Sequence, residues 1–166
     1  MSSPLPFDPI NEARRQWTQH GWSDAATGMA AVTSVFRAQQ ILLARIDEKL
    51  RPFELTFARY EVLMLLHFSR RGALPLGVIG SRLQVHPTSV TSAVDRLLKQ
   101  GLVERRPHPT DGRTRLAVLT DVGRDRALEA TEQLNASVFS DPGIAEKNLP
   151  TLIDILGAMR HAAGDF

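Results

Sequence analysis

The chain has 166 residues, of which 43% are hydrophobic and 23% are charged, so we expect one globular domain or one domain with a dimerisation arm. Cysteine is absent, which excludes disulfide bonds, thiolate metal ligands and cysteine nucleophiles, and fits a reducing compartment. No apolar run is long enough for a membrane span and the N-terminus lacks the order of a signal peptide, so we expect a cytoplasmic protein without membrane contact.

The net charge of +2 is unevenly distributed along the chain. Residues 96–115 hold six basic and two acidic side chains, so this segment carries +4 and the rest of the chain carries −2. Arginine accounts for 17 of the 20 basic residues, and its planar guanidinium matches phosphates and guanine edges. A basic segment on a slightly acidic body indicates a local site for an anionic polymer. GC-rich coding also produces arginine-rich chains, so composition alone leaves both interpretations open.

Two helices are predicted in the first third of the chain. The first spans Asp8–His20, with Asp8 as its N-cap and Gly21 as its stop. The second spans Ser23–Leu50 and would be about 42 Å long, which is longer than a small domain needs. Its apolar residues recur three and four positions apart, the heptad pattern of a helix that packs on another subunit. These residues are Met29, Val32, Phe36, Leu43, Ile46 and Leu50, and the polar Gln39 is the one break in the pattern.

Three further helices are predicted in the middle of the chain. Thr56–Arg71 is apolar nearly all round, which indicates a buried central helix, and Leu76–Leu83 is a short amphipathic helix. Pro87–Gln100 begins at a proline and stops at Gly101. Its inner face is apolar and consists of Val90, Val94, Leu97 and Leu98.

The remaining segments predict a hairpin and two helices. Residues 102–119 change to a strand period around the turn Pro109–Gly112, which indicates a hairpin with a basic, polar tip. Thr120 caps a helix that runs to about Phe139, and the last helix spans Leu149–Ala162. A helix, a short helix, a turn, a helix with a polar outer face and a hairpin form the winged helix-turn-helix arrangement.

The outer face of the helix at 87–100 carries four short hydroxyl side chains at its N-terminal half: Thr88, Ser89, Thr91 and Ser92. Short polar side chains let a helix backbone enter the major groove and contact phosphates or base edges. Arg96, on the same face, supplies charge. An ordinary solvated helix face has the same composition, but the basic hairpin close by in the chain favours DNA.

The predicted hairpin supplies a second set of basic side chains. Arg113 lies at the tip, where a guanidinium can enter a narrow minor groove, and Arg115 follows on the strand. Arg105 and Arg106 are adjacent on a strand, so at most one of them can face DNA. Asp111 would repel phosphate, so we expect it to hold Arg113 or Arg115 in place.

Two stretches of this sequence resemble a known family. The run IGSRLQVHPTSVT at residues 79–91, followed by Val94-Asp95-Arg96-Leu97, resembles the recognition region of the MarR (multiple-antibiotic-resistance regulator) family. The run HPTDGR at 108–113, followed by Leu119-Thr120, resembles that family's wing. The resemblance implies a homodimeric winged-helix transcription factor, usually a repressor that a small molecule releases from DNA. It also implies a dimer interface formed by the first long helix and the last two.

The helix at residues 8–20 lies outside the common family core. It is similar to the extra N-terminal, tryptophan-bearing helix of a subgroup that senses urate or related aromatic anions, in which an acidic residue falls at a place similar to Glu61. The resemblance implies an effector cleft between the first long helix, the helix after it and the DNA-binding lobe. The candidate ligand-binding residues are Trp17, Trp22, Phe36, Arg37, Tyr60, Glu61 and Met64. Plain core or dimer packing is the commoner explanation of such aromatic residues, and an exposed or salt-bridged side chain is the commoner explanation of Glu61.

We therefore predict a mainly α fold with a small β-hairpin. A winged helix-turn-helix DNA-binding domain would occupy residues 56–119, a helical dimerisation region 23–55 and 120–166, and an extra N-terminal helix 8–22. The predicted function is a homodimeric repressor that binds double-stranded DNA at an inverted-repeat operator and responds to a small-molecule effector. The predicted DNA-binding residues are Thr88, Ser89, Thr91, Ser92, Arg96, Arg113 and Arg115.

Two other classes of function compete with this prediction. A protein-interaction module could use the winged helix as a scaffold, with its basic segment neutralised by an acidic partner. A small enzyme is disfavoured because no phosphate loop, HExxH, GxSxG or GxGxxG motif occurs. The five histidines show no i, i+4 pair, so we predict no metal, no cofactor and no catalytic residues.

Overall fold

The computed structural model describes residues 5–111 and 114–166; its second helix has the predicted bounds, and its first is one residue shorter at each end than predicted. Helix α1 spans Pro9–Gln19 and helix α2 spans Ser23–Leu50. The carboxylate of Asp8 accepts a hydrogen bond at 2.9 Å from the N–H of Ile10, which confirms the predicted N-cap. Gly21, at φ +86°, adopts the left-handed conformation that ends α1.

Contacts group the chain into two compact units, a first that ends at Arg45 within α2 and a second that begins at Ile46. In the first unit, Ala26 is buried, but most apolar side chains of α2 are exposed. They include Val32, Val35, Phe36, Ile41 and Leu43. Of the predicted heptad pattern, Val32, Phe36 and Leu43 are therefore left exposed by the described residues of this unit, whereas Ile46 and Leu50 are buried in the core of the second unit.

The second unit is built around α3, which spans Phe57–Phe68. Helices α4 (Leu76–Leu83), α5 (Pro87–Lys99) and α6 (Asp121–Leu134) contribute to the same core. Burial of large aliphatic side chains is the main stabilising term for such a core. The fully buried leucines and isoleucine are Leu50, Leu63, Leu66, Ile79, Leu97, Leu102 and Leu134.

The sheet has three antiparallel strands in the order β1-β3-β2. Strands β2 (Val103–Pro107) and β3 (Arg115–Leu119) form the predicted hairpin. The prediction of a hairpin alone was incomplete, because β1 (Ala73–Pro75) pairs with the other edge of β3. Strand β1 is only three residues long and ends in proline, so its sequence shows no alternating pattern of apolar and polar residues. It forms because the second edge of β3 is available for pairing.

Helix α3 is shorter than predicted, ending at Phe68 instead of Arg71. The chain must turn there to reach β1, and it does so through Gly72, whose φ is +63°. The carbonyl oxygen of Gly72 accepts a 2.7 Å hydrogen bond from the N–H of Leu119 on β3. The turn is therefore imposed by strand pairing, which the helical pattern of residues 56–71 does not reveal.

The C-terminal helices follow the prediction closely. The hydroxyl of Thr120 accepts a 3.0 Å hydrogen bond from the N–H of Gly123 and so caps α6, which continues as one π-helical turn over Asn135–Phe139. Helix α7 spans Leu149–Ala162 and buries none of its residues in the isolated chain. Within the described residues, no helix is long and apolar enough to cross a membrane.

Candidate nucleic-acid interface

The buried face of α5 fixes this helix in the second unit. Val90, Ala93, Val94 and Leu97 are all buried, which confirms the predicted inner face apart from the half-buried Leu98. Helix α4 approaches closely at Gly80, where an added Cβ would lie 3.3 Å from Cγ2 of Val90. Glycine at this position therefore lets the two helices of the helix-turn-helix pack tightly.

The outer face of α5 is open to solvent as predicted. Thr88, Ser89, Thr91 and Ser92 are exposed, and so are Arg96 and Lys99 one and two turns further along. The helix begins at an unpredicted cap, because Nδ1 of His86 accepts a 3.3 Å hydrogen bond from the N–H of Thr88. The hydroxyls are therefore presented by a backbone that core packing and a cap hold in place.

The wing is tied to α5 by an ion pair that was not predicted. The guanidinium of Arg105 on β2 lies 2.8 Å from the carboxylate of Asp95 on α5. Its neighbour Arg106 pairs within the strand with Glu104, also at 2.8 Å. Two of the wing's basic side chains thus have acidic partners, so the positive charge of residues 96–115 is partly neutralised locally.

The end of the wing is described up to Asp111 and again from Thr114. The carboxylate of Asp111 accepts a 2.6 Å hydrogen bond from the hydroxyl of Thr114, and its predicted contact with Arg113 or Arg115 stays a prediction. Arg115 is exposed at the start of β3. The predicted tip residue Arg113 lies outside the described residues, and its DNA contact stays a prediction.

Two open clefts flank the outer face of α5. One, of about 590 Å³, is lined by Pro87, Thr88, Thr91, Ser92, Asp95, Arg96 and Lys99. The other, of about 560 Å³, lies between α5 and the first turn of α3 and is lined by Thr56, Ala58, Arg59, Thr88, Ser89, Ser92, Ala93 and Arg96. Thr88, Ser92 and Arg96 therefore line both clefts, while Thr91 lines the first and Ser89 the second.

One basic residue of this surface, Arg59, was missed by the sequence reasoning. Its Nε donates to the hydroxyl of Thr56 at 3.2 Å and its Nη1 donates to Oε1 of Gln100 at 3.3 Å. Gln100 lies 41 positions further along the chain, so no local pattern connects the two residues. Only the packing of α3 against the end of α5 brings them together.

Four of the seven candidate ligand residues belong to the first unit. The rings of Trp17 and Trp22 make an edge-to-face contact with centroids 5.2 Å apart. Phe36 is exposed, and Nη1 of Arg37 donates to Oε1 of Gln40 at 3.3 Å. The two tryptophans are therefore brought together, while Phe36 and Arg37 lie on the exposed surface of α2.

The other three candidates lie on α3 in the second unit. Tyr60 and Met64 are buried, and both contact Thr131 on α6, whose hydroxyl lies 3.0 Å from the Tyr60 hydroxyl and 3.3 Å from the Met64 sulfur. Glu61 is half-buried, and this burial raises the pKa of its carboxyl above the ordinary value. In this unit Tyr60 and Met64 are part of the hydrophobic core, and Glu61 lies partly exposed at the edge of that core.

The described residues hold no cluster of three or more histidine, aspartate or glutamate side chains that could bind a metal ion. What they do hold is a short helix, a turn, a helix with an exposed polar face and a β-hairpin, which together define the winged helix-turn-helix class. The MarR family model matches residues 53–114, and the solved structure of a family member matches 84% of the chain. The chain belongs to the MarR family, whose members are transcriptional regulators and not enzymes.

Several solved structures share this fold. Sco5413, a MarR family transcriptional regulator from Streptomyces coelicolor, is 49% identical, and the match covers 84% of this chain and 97% of that one with a TM-score of 0.77. Sco3205 from the same organism, solved in complex with DNA, is 23% identical over 80% of this chain and 84% of its own, with a TM-score of 0.69. CouR from Rhodococcus jostii, solved with p-coumaroyl-CoA bound, is 24% identical over 75% of this chain and 87% of its own, with a TM-score of 0.65.

Curated relatives match over a smaller share of their length. The HTH-type regulator YhbI of Bacillus subtilis is 30% identical over 100 residues, and the alignment spans 62% of that protein. The chain thus covers less than two thirds of this relative.

Proposed function

We propose that the chain is a sequence-specific DNA-binding repressor of transcription that acts as a homodimer and is released from DNA by a small aromatic or anionic ligand. The observation that carries this proposal is the outer face of α5, where four exposed short hydroxyl side chains stand beside Arg96 while the opposite face is buried. Such a helix can enter the major groove without steric hindrance from long side chains. Because the DNA it would bind lies in the cytoplasm, we propose that compartment as its location.

In this proposal α5 enters the major groove and the wing follows the neighbouring minor groove. The hydroxyl groups would contact phosphates and base edges, and the guanidinium groups would contact the backbone and the minor groove. The residues proposed to contact DNA are Thr88, Ser89, Thr91, Ser92, Arg96, Arg113 and Arg115. For Arg113 the support is the sequence alone, because the residue lies outside the described ranges.

A homodimer is supported by the apolar side chains that α2 and α7 expose in the isolated chain. Phe36 on α2 is 62% exposed and Ile153 on α7 is 68% exposed. Each of these helices carries further exposed large apolar side chains. Apolar helix faces of this kind are normally covered by another element or subunit. Two-fold symmetry then requires an inverted-repeat operator with half-site centres about 10–10.5 bp apart. The DNA complex of the relative Sco3205 supports duplex DNA as the partner.

Release by a small molecule is supported by the relative CouR, which was solved with p-coumaroyl-CoA bound. A ligand that lowers the DNA affinity 100-fold needs to bind the released state only about 2.7 kcal/mol more tightly than the DNA-bound state. The residues proposed to contact the ligand are Trp17, Trp22, Phe36, Arg37, Tyr60, Glu61 and Met64.

A mobility-shift experiment on the DNA upstream of the gene, with a scrambled duplex as competitor, tests the proposal. We expect a protein–DNA complex that the scrambled duplex does not compete away. At least one compound from a panel of aromatic acids should dissociate this complex. Absence of any sequence-specific complex would leave a protein-interaction module as the better explanation. A complex that no compound of the panel affects would contradict the ligand response and leave the DNA binding standing.

A further inference from the structure

The cleft between α5 and the first turn of α3 differs in charge from its neighbour. Its basic side chains are Arg59 from α3 and Arg96 from α5. Among the described residues that line it none is acidic, whereas the neighbouring cleft includes Asp95. Two guanidinium groups from different helices thus line one cleft together with the hydroxyls of Thr88 and Ser89, a combination that favours an anion.

Arg59 is oriented by neutral partners. The hydroxyl of Thr56 and the side-chain amide of Gln100 each accept one of its N–H groups, at 3.2 and 3.3 Å. Gln100 is held in turn, because its Nε2 donates to the carbonyl oxygen of Glu54 at 3.0 Å. Hydrogen bonds to neutral acceptors fix the guanidinium plane without neutralising its charge, and a guanidinium has further N–H donors for a ligand.

We infer that this cleft binds a backbone phosphate of duplex DNA and that Arg59 is the principal phosphate ligand. The inference rests on the DNA binding proposed above and adds a contact from α3 to those from α5. A helix in the major groove lies between the phosphate backbones of the two DNA strands. Basic side chains at the sides of α5 would therefore lie close to one of these phosphate backbones. Because Arg59 is half-buried and already oriented, it loses less side-chain entropy on binding than a fully exposed arginine.

The test compares Arg59→Gln, Arg59→Lys and the control Arg126→Gln. Arg126 serves as the control because it is also half-buried, donates at 3.0 Å to the carbonyl oxygen of Phe53 and does not line either cleft; unlike Arg59 it has an acidic partner, the Glu54 carboxylate at 3.9 Å. The probes are two duplexes of about 30 bp, three helical turns, one selected by the wild-type chain from a random pool and one scrambled. Binding is followed by fluorescence anisotropy over a series of salt concentrations, with thermal unfolding as a check on folding.

We expect Arg59→Gln to weaken binding to both duplexes about tenfold. The slope of log K against log salt should become shallower by about 0.9 for each chain on the DNA, because one phosphate contact per chain is lost. Arg59→Lys should keep the wild-type slope, since it keeps the charge, and Arg126→Gln should keep both slope and affinity.

An unchanged slope for Arg59→Gln, or an equal loss for Arg126→Gln, would overturn the inference and reduce Arg59 to a structural link between α3 and the end of α5. If the wild-type chain selects no duplex from the pool, the proposed function is wrong and the inference falls with it. The wild-type measurement therefore separates the two failures.

Discussion

Asp95→Asn removes one side of the ion pair between α5 and the wing, and its effects on stability and on DNA binding should have opposite signs. The side chain of Asp95 is 46% exposed and that of Arg105 is 36% exposed, so solvent screens their 2.8 Å contact. A pair of this kind stabilises a fold by about 0–1 kcal/mol. We therefore expect Asp95→Asn to lower the free energy of unfolding by no more than about 1 kcal/mol.

The effect of Asp95→Asn on DNA binding should be a gain. Asp95 lines the same cleft as Arg96 and Lys99, so its carboxylate repels any phosphate that approaches these side chains. At about 8 Å in water this repulsion is about 0.5 kcal/mol, which is a two- to threefold change in affinity for each half-site. The substitution also leaves Arg105 without its acidic partner. We therefore expect tighter binding to duplexes of any sequence and a steeper salt dependence.

A double-mutant cycle of Asp95→Asn and Arg105→Gln separates charge from positioning. Anisotropy titrations over a salt series give the slopes, and denaturant unfolding gives the stabilities. The double variant should return close to the wild-type slope, because it removes one charge of each sign. A loss of affinity of more than about tenfold for Asp95→Asn, with an unchanged slope, would refute this reasoning and assign the pair the role of holding the wing in place.

Three further substitutions have defined outcomes. Leu97→Ala removes a fully buried side chain from α5 and should lower the free energy of unfolding by about 2–5 kcal/mol in denaturant melts. Gly123→Ala should lower it by about 1–3 kcal/mol or prevent folding, because the new Cβ overlaps the carbonyl group of Leu102; equal stability would contradict the packing of α6. Burial raises the pKa of Glu61, so stability should fall as the pH rises just above a glutamate's ordinary pKa. Glu61→Gln should remove that part of the pH dependence, and an unchanged profile would contradict its burial.

The parts of the interface that sequence reasoning predicted are those that local patterns determine. The inner and outer faces of α5 follow from helical periodicity, and its start follows from Pro87. The N-caps Asp8 and Thr120 could be predicted from residue type, because each cap contacts only its own helix. The Asp8 carboxylate accepts from the N–H two residues later and the Thr120 hydroxyl from the N–H three residues later. The position of the hydroxyl face could therefore be predicted with no knowledge of the fold.

The parts that were missed depend on contacts between distant segments. Strand β1 exists only through its pairing with β3, and the turn at Gly72 shortens α3 to allow that pairing. The Asp95–Arg105 pair and the Arg59–Gln100 hydrogen bond both join different elements, so neither has a spacing rule in the sequence. These contacts adjust the charge of the interface, which is why counting basic residues describes its electrostatics only coarsely.

The central claim is that the hydroxyl groups on α5 read the base sequence of a duplex, and one ratio tests it most directly. It is the affinity for a duplex selected from a random pool divided by the affinity for its scrambled counterpart. The wild-type chain is compared with a variant that carries alanine at Thr88, Ser89, Thr91 and Ser92. We expect a wild-type ratio of at least about 10³ that falls steeply in the variant while the salt slope stays the same, because the substitutions change no charge. A ratio that is equal in the two proteins would contradict the claim.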